Sequence, residues 1–381
     1  MTAFILRRSL QSILVLFVMS ILVFVGVNLV GDPVDMLVNP EADQQEIERV
    51  IKDLGLDRPV TEQYWYFLVN AFQGDLGKSF VFGEPALKLI VQRMPATFEL
   101  ALFSLLIAVA FGIPLGVYAG LKPKSKISRT IMAGSILGFS MPTFWVGIIL
   151  IMFFSVHLGW LPSTGRGEVT TVFGITSSIF TLDGLSHIFL PALNLALFKL
   201  SSVIRLARAG TREIILQDYI KFARAKGLSE RRVINVHLLK NILIPIVTVI
   251  GLEFGSLIAF STVTETVFAW PGMGKLIIEA IYNLDRPIVV AYLMIIVLIF
   301  VTLNLVVDIT YSLLDPRVRS RGKADVTRQD SRSVWSSSRL GLAENLVRLF
   351  RKPPCCNSTY YFCCHFIYRY FCPLGVAHQP L

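Results

Sequence analysis

Asp218-Tyr-Ile-Lys-Phe-Ala-Arg-Ala-Lys-Gly-Leu-Ser-Glu-Arg-Arg232 stands between two apolar runs, and His237, Lys240 and Asn241 lead it into Ile-Leu-Ile-Pro245. Tyr219, Phe222, Ala223 and Lys226 recur at helical spacing and share one face. Ala223 and Ala225 are small enough for another surface to come close. Gly227 lacks a Cβ and ends the helix. Ser229 is placed to cap the next one, and Glu230 suits its positive N-terminal end. The stretch reads as helix, glycine corner, basic helix. It is too short and too charged to cross a bilayer, and it fits a place at the membrane surface where a soluble partner grips it. The alternative is a basic loop that fixes topology and touches anionic headgroups. The order of aromatic, small residues, glycine and cap favours docking.

The rest of the chain supplies the membrane. Of 381 residues, 54% are apolar and 16% charged, with a mean hydropathy of +0.63; a soluble domain carries about 25% charged residues. A crossing helix needs about 20 apolar residues. Six runs qualify: Ile13–Val30, Leu100–Leu121, Ile131–Val156, Ile188–Ile204, Ile242–Val267 and Ile288–Val307. The fourth is the weakest, because it holds Pro191, Asn194 and Lys199; Lys199 is expected to snorkel to the interface. Arg7 and Arg8 precede the first run as in a signal peptide. The run is longer than a signal core and no small-x-small site follows Val30, so it reads as a retained anchor.

The net charge of +10 does not imply nucleic acid, because the basic residues flank apolar runs. Loop 121–130 has Lys122, Lys124, Lys126 and Arg129 and no acid, and region 199–240 has ten Lys/Arg against three acids. The 31–97 segment has eleven acids against six Lys/Arg, and 157–187 has one arginine. Both termini and the 199–241 loop are therefore expected in the cytoplasm, with 31–97 outside as a small helical subdomain.

Glu253 lies in the run Val-Thr-Val-Ile-Gly-Leu-Glu-Phe-Gly-Ser-Leu. An intramembrane acid is costly and marks a functional position by default. It either lines a passage or is hydrogen-bonded in helix packing. Pro114, Pro142 and Pro245 lie in or at the ends of spans and are placed to kink them. Gly112 and Gly116 at i, i+4 suit close helix packing. Asp308 reads as an interfacial or structural acid. His157 and His187 have no clustered ligands, and all five cysteines fall in the last 27 residues without paired CxxC spacing. No metal site, catalytic residue or disulfide framework is expected in the main body.

The 218–245 segment resembles the cytoplasmic EAA loop of ABC importer permeases, whose loose signature is Glu-Ala-Ala, three residues, Gly, and later Ile-x-Leu-Pro. Ala223 and Gly227 match it; Lys221 and Phe222 replace its Glu and first Ala, and Pro245 lies farther on. Those departures resemble the peptide-importer branch, with Asp-Tyr-x-x-x-Ala-Arg-Ala-Lys-Gly. Gly74-Asp-Leu-Gly-Lys-Ser79, Arg93-Met-Pro-Ala-Thr97, Ser140-Met-Pro-Thr-Phe-Trp145, Gly159-Trp-Leu-Pro162, Glu265-Thr-Val-Phe-Ala-Trp-Pro-Gly-Met-Gly274, Asn304, Asp308, Tyr311 and Asp315-Pro-Arg317 resemble that branch in order, over about residues 1–320. Single motifs are weak; their succession is specific.

The resemblance implies an all-α integral membrane protein with six transmembrane helices and a type I ABC importer permease fold. Its parts are an anchor helix (1–30), an extracytoplasmic subdomain (31–92), a permease core (93–311) and a cytoplasmic tail (312–381). It implies peptide translocation across the bacterial inner membrane by alternating access, with a second permease, two cytosolic ATPases and a periplasmic solute-binding protein as partners; similar permeases handle dipeptides, longer oligopeptides, glutathione and nickel chelates, and the sequence does not choose among them. Tyr219, Phe222, Ala223, Arg224, Ala225, Lys226 and Gly227 would sit on an ATPase, and Glu253 would border the path, where the family usually has glutamine. ATP and Mg would bind only the ATPases; this chain has no GxxxxGK[ST] loop.

Three other classes compete. A secondary transporter or channel would show internal repeats and several mid-membrane charges, and one acid and no clear repeat are seen. An intramembrane enzyme needs a nucleophile with a base, or metal ligands, inside spans. A purely structural subunit is opposed only by the ordered motifs. After Arg321 the composition changes, and Ser333-Val-Trp335 through Arg351-Lys-Pro-Pro354 resembles the start of a partner permease. Residues beyond 354 are then either frame-shifted read-through into a neighbouring gene or a lipid-contacting extension.

Overall fold

In the computed structural model the described residues are 2–29, 44–53, 57–172 and 175–314. The Asp315-Pro-Arg317 motif and the tail lie outside them. The helices are α1 (Thr2–Leu29), α2 (Gln44–Asp53), α3 (Val60–Phe72), α4 (Ala86–Leu121), α5 (Lys126–Ser140), α6 (Thr143–Leu150), α7 (Leu182–Ile214), α8 (Asp218–Ala225), α9 (Glu230–Arg232), α10 (Leu239–Phe260), α11 (Thr262–Val267), α12 (Met273–Tyr282) and α13 (Arg286–Leu314). π-Helical turns extend α6 through Ile151–His157 and join α9 to α10 through Val233–Leu238. An antiparallel hairpin, β1 (Thr170–Val172) with β2 (Ile175–Ser177), pairs Thr171 with Thr176. It is the only sheet among the described residues.

The six expected spans appear as four continuous helices and two bent pairs. Arg8–Gly26 of α1, α4, α7 and Arg286–Thr310 of α13 are each long and apolar enough to cross. The third span breaks by 108° between α5 and α6, and the fifth bends by 48° near Pro245. Apolar content hides the size of the first break. Pro142 has no N–H to donate, and it holds Met141 extended at ψ 138°, the usual constraint on a residue before proline. The second span is longer than its apolar run. At 36 residues α4 measures about 54 Å, against a hydrocarbon core of about 30 Å. Its N-terminal half buries Ala86, Ile90, Ala96 and Leu100 in the main core with Trp270, Met273 and Leu276.

The close pair of the bundle is α4 with α7. Gly112, Gly116 and Gly120 form a stripe on α4, facing Val203, Ala207 and Thr211 on α7. A Cβ added at Gly116 would lie 2.6 Å from both the Ala207 Cβ and the Ile204 carbonyl oxygen. The packing role expected for Gly112 and Gly116 is what the structure has, with Gly120 extending it by a turn. Small residues let backbones approach where lipid offers no hydrophobic drive between helices. Gly251 and Gly255 do the same for α10 on α13, against Val307 and Phe300. Arg8 of α1 pairs with Asp308 of α13 at 2.7 Å, so the acid expected to be structural ties the first span to the last.

Chain direction sorts the loops. Residues 122–125 and 215–229 lie at one end of the bundle, here the basic end. Residues 74–85, 158–172, 175–181 and 261–285 meet at the other, where the Gly165 N–H donates to the Phe268 carbonyl at 3.0 Å.

Candidate functional site

At the basic end α7 stops at Ile214, and the Gln217 N–H donates back to its carbonyl at 3.0 Å. Asp218 then opens α8. Lys221, at 2.9 Å, hydrogen-bonds the Asp218 carboxylate and adds its positive charge, which together hold that carboxyl below its usual range.

The helix is two-sided, and not as the spacing suggests. Ile220 and Ala223 are buried against Val233, with Ile214, Ile215 and Leu228 around them. Tyr219 and Phe222 point away, 42% and 62% exposed, and the Lys226 ammonium lies 4.6 Å over the Phe222 ring. Ala223 therefore does not join Tyr219 and Phe222 on an open face. Its small size serves an approach within the chain, while Ala225 is exposed.

The corner is a Schellman motif. The Gly227 N–H donates to the Arg224 carbonyl at 2.9 Å, and the Leu228 N–H to the Ala223 carbonyl at 3.3 Å. Leu228 packs on the cluster containing Ala223, the apolar contact usual to this motif. Gly227 has φ +78° with nothing within 4 Å of an added Cβ; backbone conformation, not space, asks for glycine there.

Past the corner Ser229 stands at the cap position, but its hydroxyl makes no capping bond. Its carbonyl accepts from Arg232 and Val233 at 2.9 and 3.0 Å. The helix start is exposed, so solvent can meet the N–H groups that the hydroxyl leaves. Glu230 reaches back to Arg224, Nε to Oε1 at 2.7 Å and Nη2 to Oε2 at 3.2 Å. This bidentate pair closes the corner. The second helix is not a separate piece: α9, the π turns and α10 run on into the fifth span.

Glu253, on α10, is paired. Lys199 of α7 donates to its Oε2 and, at 2.7 Å, to Ser256 Oγ, and Ser256 Oγ lies 3.0 Å from the same carboxylate oxygen. The expectation that Lys199 snorkels is corrected. It is the 18th of the 33 residues of α7, about 22 Å of helix from the nearer end, and Glu253 is within reach. The Lys199 side chain is 8% exposed and that of Glu253 25%.

At the opposite end lie two acids that the sequence did not single out for chemistry. Glu265 is fully buried. It accepts from Thr97 and Ser261 hydroxyls at 2.8 Å and from Gly274 and Lys275 N–H groups at 2.7 and 3.1 Å, at the positive start of α12. Glu99 accepts from the Ser178 N–H at 2.8 Å, from its hydroxyl, and from Arg166 Nε at 3.1 Å. Trp270 Nε1 donates to the Ala96 carbonyl at 2.9 Å. Glu99 stands inside an apolar run after Thr97-Phe98, and that was the available signal; its partners are 67 and 79 residues away.

A family model described as "Binding-protein-dependent transport system inner membrane component" matches residues 112–320, and one for the N-terminal part of such membrane components matches residues 1–101. The oligopeptide transport system permease protein AppB of Bacillus subtilis is 40% identical over 320 residues, covering 84% of this chain and 99% of its own. The di/tripeptide permease DppB of Pseudomonas aeruginosa is 39% identical over 333 residues, with the same coverage. The glutathione permease GsiC of Escherichia coli is 38% identical over 320 residues, again covering 84% and 99%. Among solved structures, the inward-facing MetNI methionine ABC transporter aligns with 60% of this chain and 97% of its own at 19% identity and a TM-score of 0.48.

Proposed function

Since this chain belongs to the family of binding-protein-dependent transport system inner membrane components, the permease subunits of ABC importers, we propose that it carries peptides and takes its drive through the corner at 218–227. As such a permease it is a multi-pass protein of the inner membrane and not an enzyme; the ATPase and the solute-binding protein are separate partners. The peptide reading is supported by relatives named for oligopeptide, di/tripeptide and glutathione transport that align over nearly their whole length. The assembly proposed is this chain, a second permease, two cytosolic ATPases that bind ATP and Mg, and one binding protein. Both termini and the basic end face the cytosol, following the positive charge of the 121–130 and 199–240 loops.

The observation that carries the coupling role is the exposed face of α8. Tyr219, Phe222, Lys226 and Ala225 stand out from the basic end, while Ile220 and Ala223 root the helix on Val233. The Arg224–Glu230 pair and Gly227 make the corner one rigid piece, continuous with α10. A push on α8 therefore enters the fifth span directly. Closure of the ATPase dimer would rock that span between outward- and inward-open states. Glu253, paired with Lys199 and a quarter exposed, borders the path as a neutralised charge.

The test is crosslinking in membranes of the assembled transporter. Single cysteines replace Tyr219, Phe222 or Ala225 in a background where the five native cysteines are serine. Crosslinks to an ATPase that change with nucleotide are expected. Uptake of a labelled dipeptide that depends on both the ATPase and the binding protein is expected alongside. Well-expressed partners with no crosslink from any of the three positions would overturn the coupling role; ATP-driven uptake that excludes all peptides would overturn the cargo.

A further inference from the structure

Helix α3 (Val60–Phe72) is placed by the first span. The Tyr64 hydroxyl lies 2.8 Å from Ser20 Oγ, and the Phe24 ring meets those of Tyr64 and Phe67 at centroid distances of 5.3 and 5.7 Å. Ser20 and Phe24 belong to the Arg8–Gly26 stretch that is apolar enough to cross a bilayer. Ser20 stands six residues inside its end, about 9 Å along the axis. A helix that touches this level cannot stand clear of the bilayer.

Its surface divides three ways at about 100° per residue. Tyr64, Phe67 and Leu68 face α1. Glu62, Tyr66 and Asn70 are exposed on the far side, with the Arg58 guanidinium 4.5 Å over the Tyr66 ring. Between the two, Trp65 and Phe72 fall about 20° apart on one flank, 65% and 89% exposed. Phe260 and Tyr282, at the same end of the bundle, are open to a similar degree, 74% and 84%. Leu14 and Phe17, in the same crossing stretch of α1, are exposed as well.

We propose that α3 lies in the bilayer surface, in the leaflet opposite the coupling corner, with Trp65 and Phe72 seated among lipid chains and Glu62, Tyr66, Asn70 and Arg58 at headgroup level. Tryptophan and tyrosine favour that depth, and a helix with one apolar flank and one polar face binds there. The occupant is lipid rather than protein because α3 is fixed to α1 at Ser20 and Phe24, inside the stretch apolar enough to cross the bilayer.

The experiment uses the complete transporter in phosphatidylglycerol/phosphatidylethanolamine nanodiscs. Nitroxide labels go on single cysteines replacing Glu62, Trp65, Asn70, Phe72 and, as the lipid reference, Leu14. Each variant is first checked for assembly with its partners, and Phe72→Cys alone carries the test if Trp65→Cys does not assemble. Molecular oxygen concentrates in lipid, and a nickel chelate stays in water. At 65 and 72 collisions with oxygen should exceed those with the chelate, as at 14; at 62 and 70 the order should reverse. Chelate collisions at 65 and 72 equal to those at 62 would overturn the proposal in favour of a water-exposed helix. Protection from both reagents would overturn it in favour of a covering protein, the second permease or the binding protein.

Discussion

Replacing Gly116 by alanine adds one methyl group and separates two opposing effects cleanly. In a free helix the change is favourable, because alanine is preferred to glycine by about 0.5–1 kcal/mol. At Gly116 the new Cβ would lie 2.6 Å from the Ala207 Cβ, 2.6 Å from the Ile204 carbonyl oxygen and 3.2 Å from the Arg208 nitrogen. Carbon–carbon contacts settle at about 3.5–4.0 Å, so α4 and α7 must part by roughly 1 Å. Two of the three obstacles are backbone, and no rotamer change removes them. Overpacking of this kind costs about 1–3 kcal/mol, so a net loss of about 1–2 kcal/mol is expected. Gly134→Ala on α5 is the control, since nothing lies within 4 Å of its Cβ; it should be neutral or slightly stabilising. The assay is reversible unfolding of the purified transporter in mixed micelles, followed through the midpoint for each variant. Equal midpoints for Gly116→Ala and Gly134→Ala would refute the glycine-stripe reasoning, because it requires the two to differ in sign.

Removing one member of the Lys199–Glu253 pair, as Lys199→Met or Glu253→Gln, should cost about 2–3 kcal/mol, below the 3–5 kcal/mol of a fully buried pair because Glu253 is partly exposed. The double substitution should cost less than the sum, which a double-mutant cycle in the same micelles reads directly; simple additivity would show that the pair does not interact. Gly227→Ala should cost about 1–2 kcal/mol from its left-handed backbone alone, and Gly227→Asn less, since asparagine tolerates that region. Transport-coupled ATPase activity should fall in the same order, and equal activity in both would detach the corner geometry from function. Glu265→Gln swaps one acceptor oxygen for a donor, facing either the Thr97 and Ser261 hydroxyls at Oε1 or the Gly274 and Lys275 N–H groups at Oε2. A loss of about 2–3 kcal/mol is expected for the unmet buried groups, with hydrogen exchange rising first at the start of α12; unchanged exchange there would contradict the capping role.

The sequence announced its spans because six apolar runs survive any detail of packing, and it announced the corner because glycine after a short amphipathic stretch has one common meaning. Gly112 and Gly116 were legible for the same reason, as spacing alone puts them on one face. What stayed hidden depends on partners far along the chain. The wheel groups Tyr219, Phe222 and Ala223, but it does not say that Val233 would cover Ala223 and leave the other two outside. Lys199 read as an interface residue because its partner is 54 residues away; Glu99 draws its donors from 67 and 79 residues away, and Glu265 takes one of its four from Thr97, 168 residues away. A kink at Pro142 was legible from the proline, but its size, 108°, was not, since hydropathy measures content and not direction.

The two ends of the bundle differ in stiffness. Far from the corner, Glu265, Glu99 and Trp270 hold α4 to α11, to the start of α12 and to the loops at Arg166, Ser178 and Trp270, and Asp285 holds the loop at Ser79 to the start of α13. Those involving a charged group contribute about 1.5–3 kcal/mol each. At the corner the chain is held by one small apolar cluster and an exposed ion pair, the latter contributing about 0–1 kcal/mol. The corner is thus one piece with the start of α10, but it is tied to the rest of the bundle more lightly than the far end is. If the corner takes the drive as proposed, displacement is expected to be greatest at Gly227 and to fade along α10 towards Glu265.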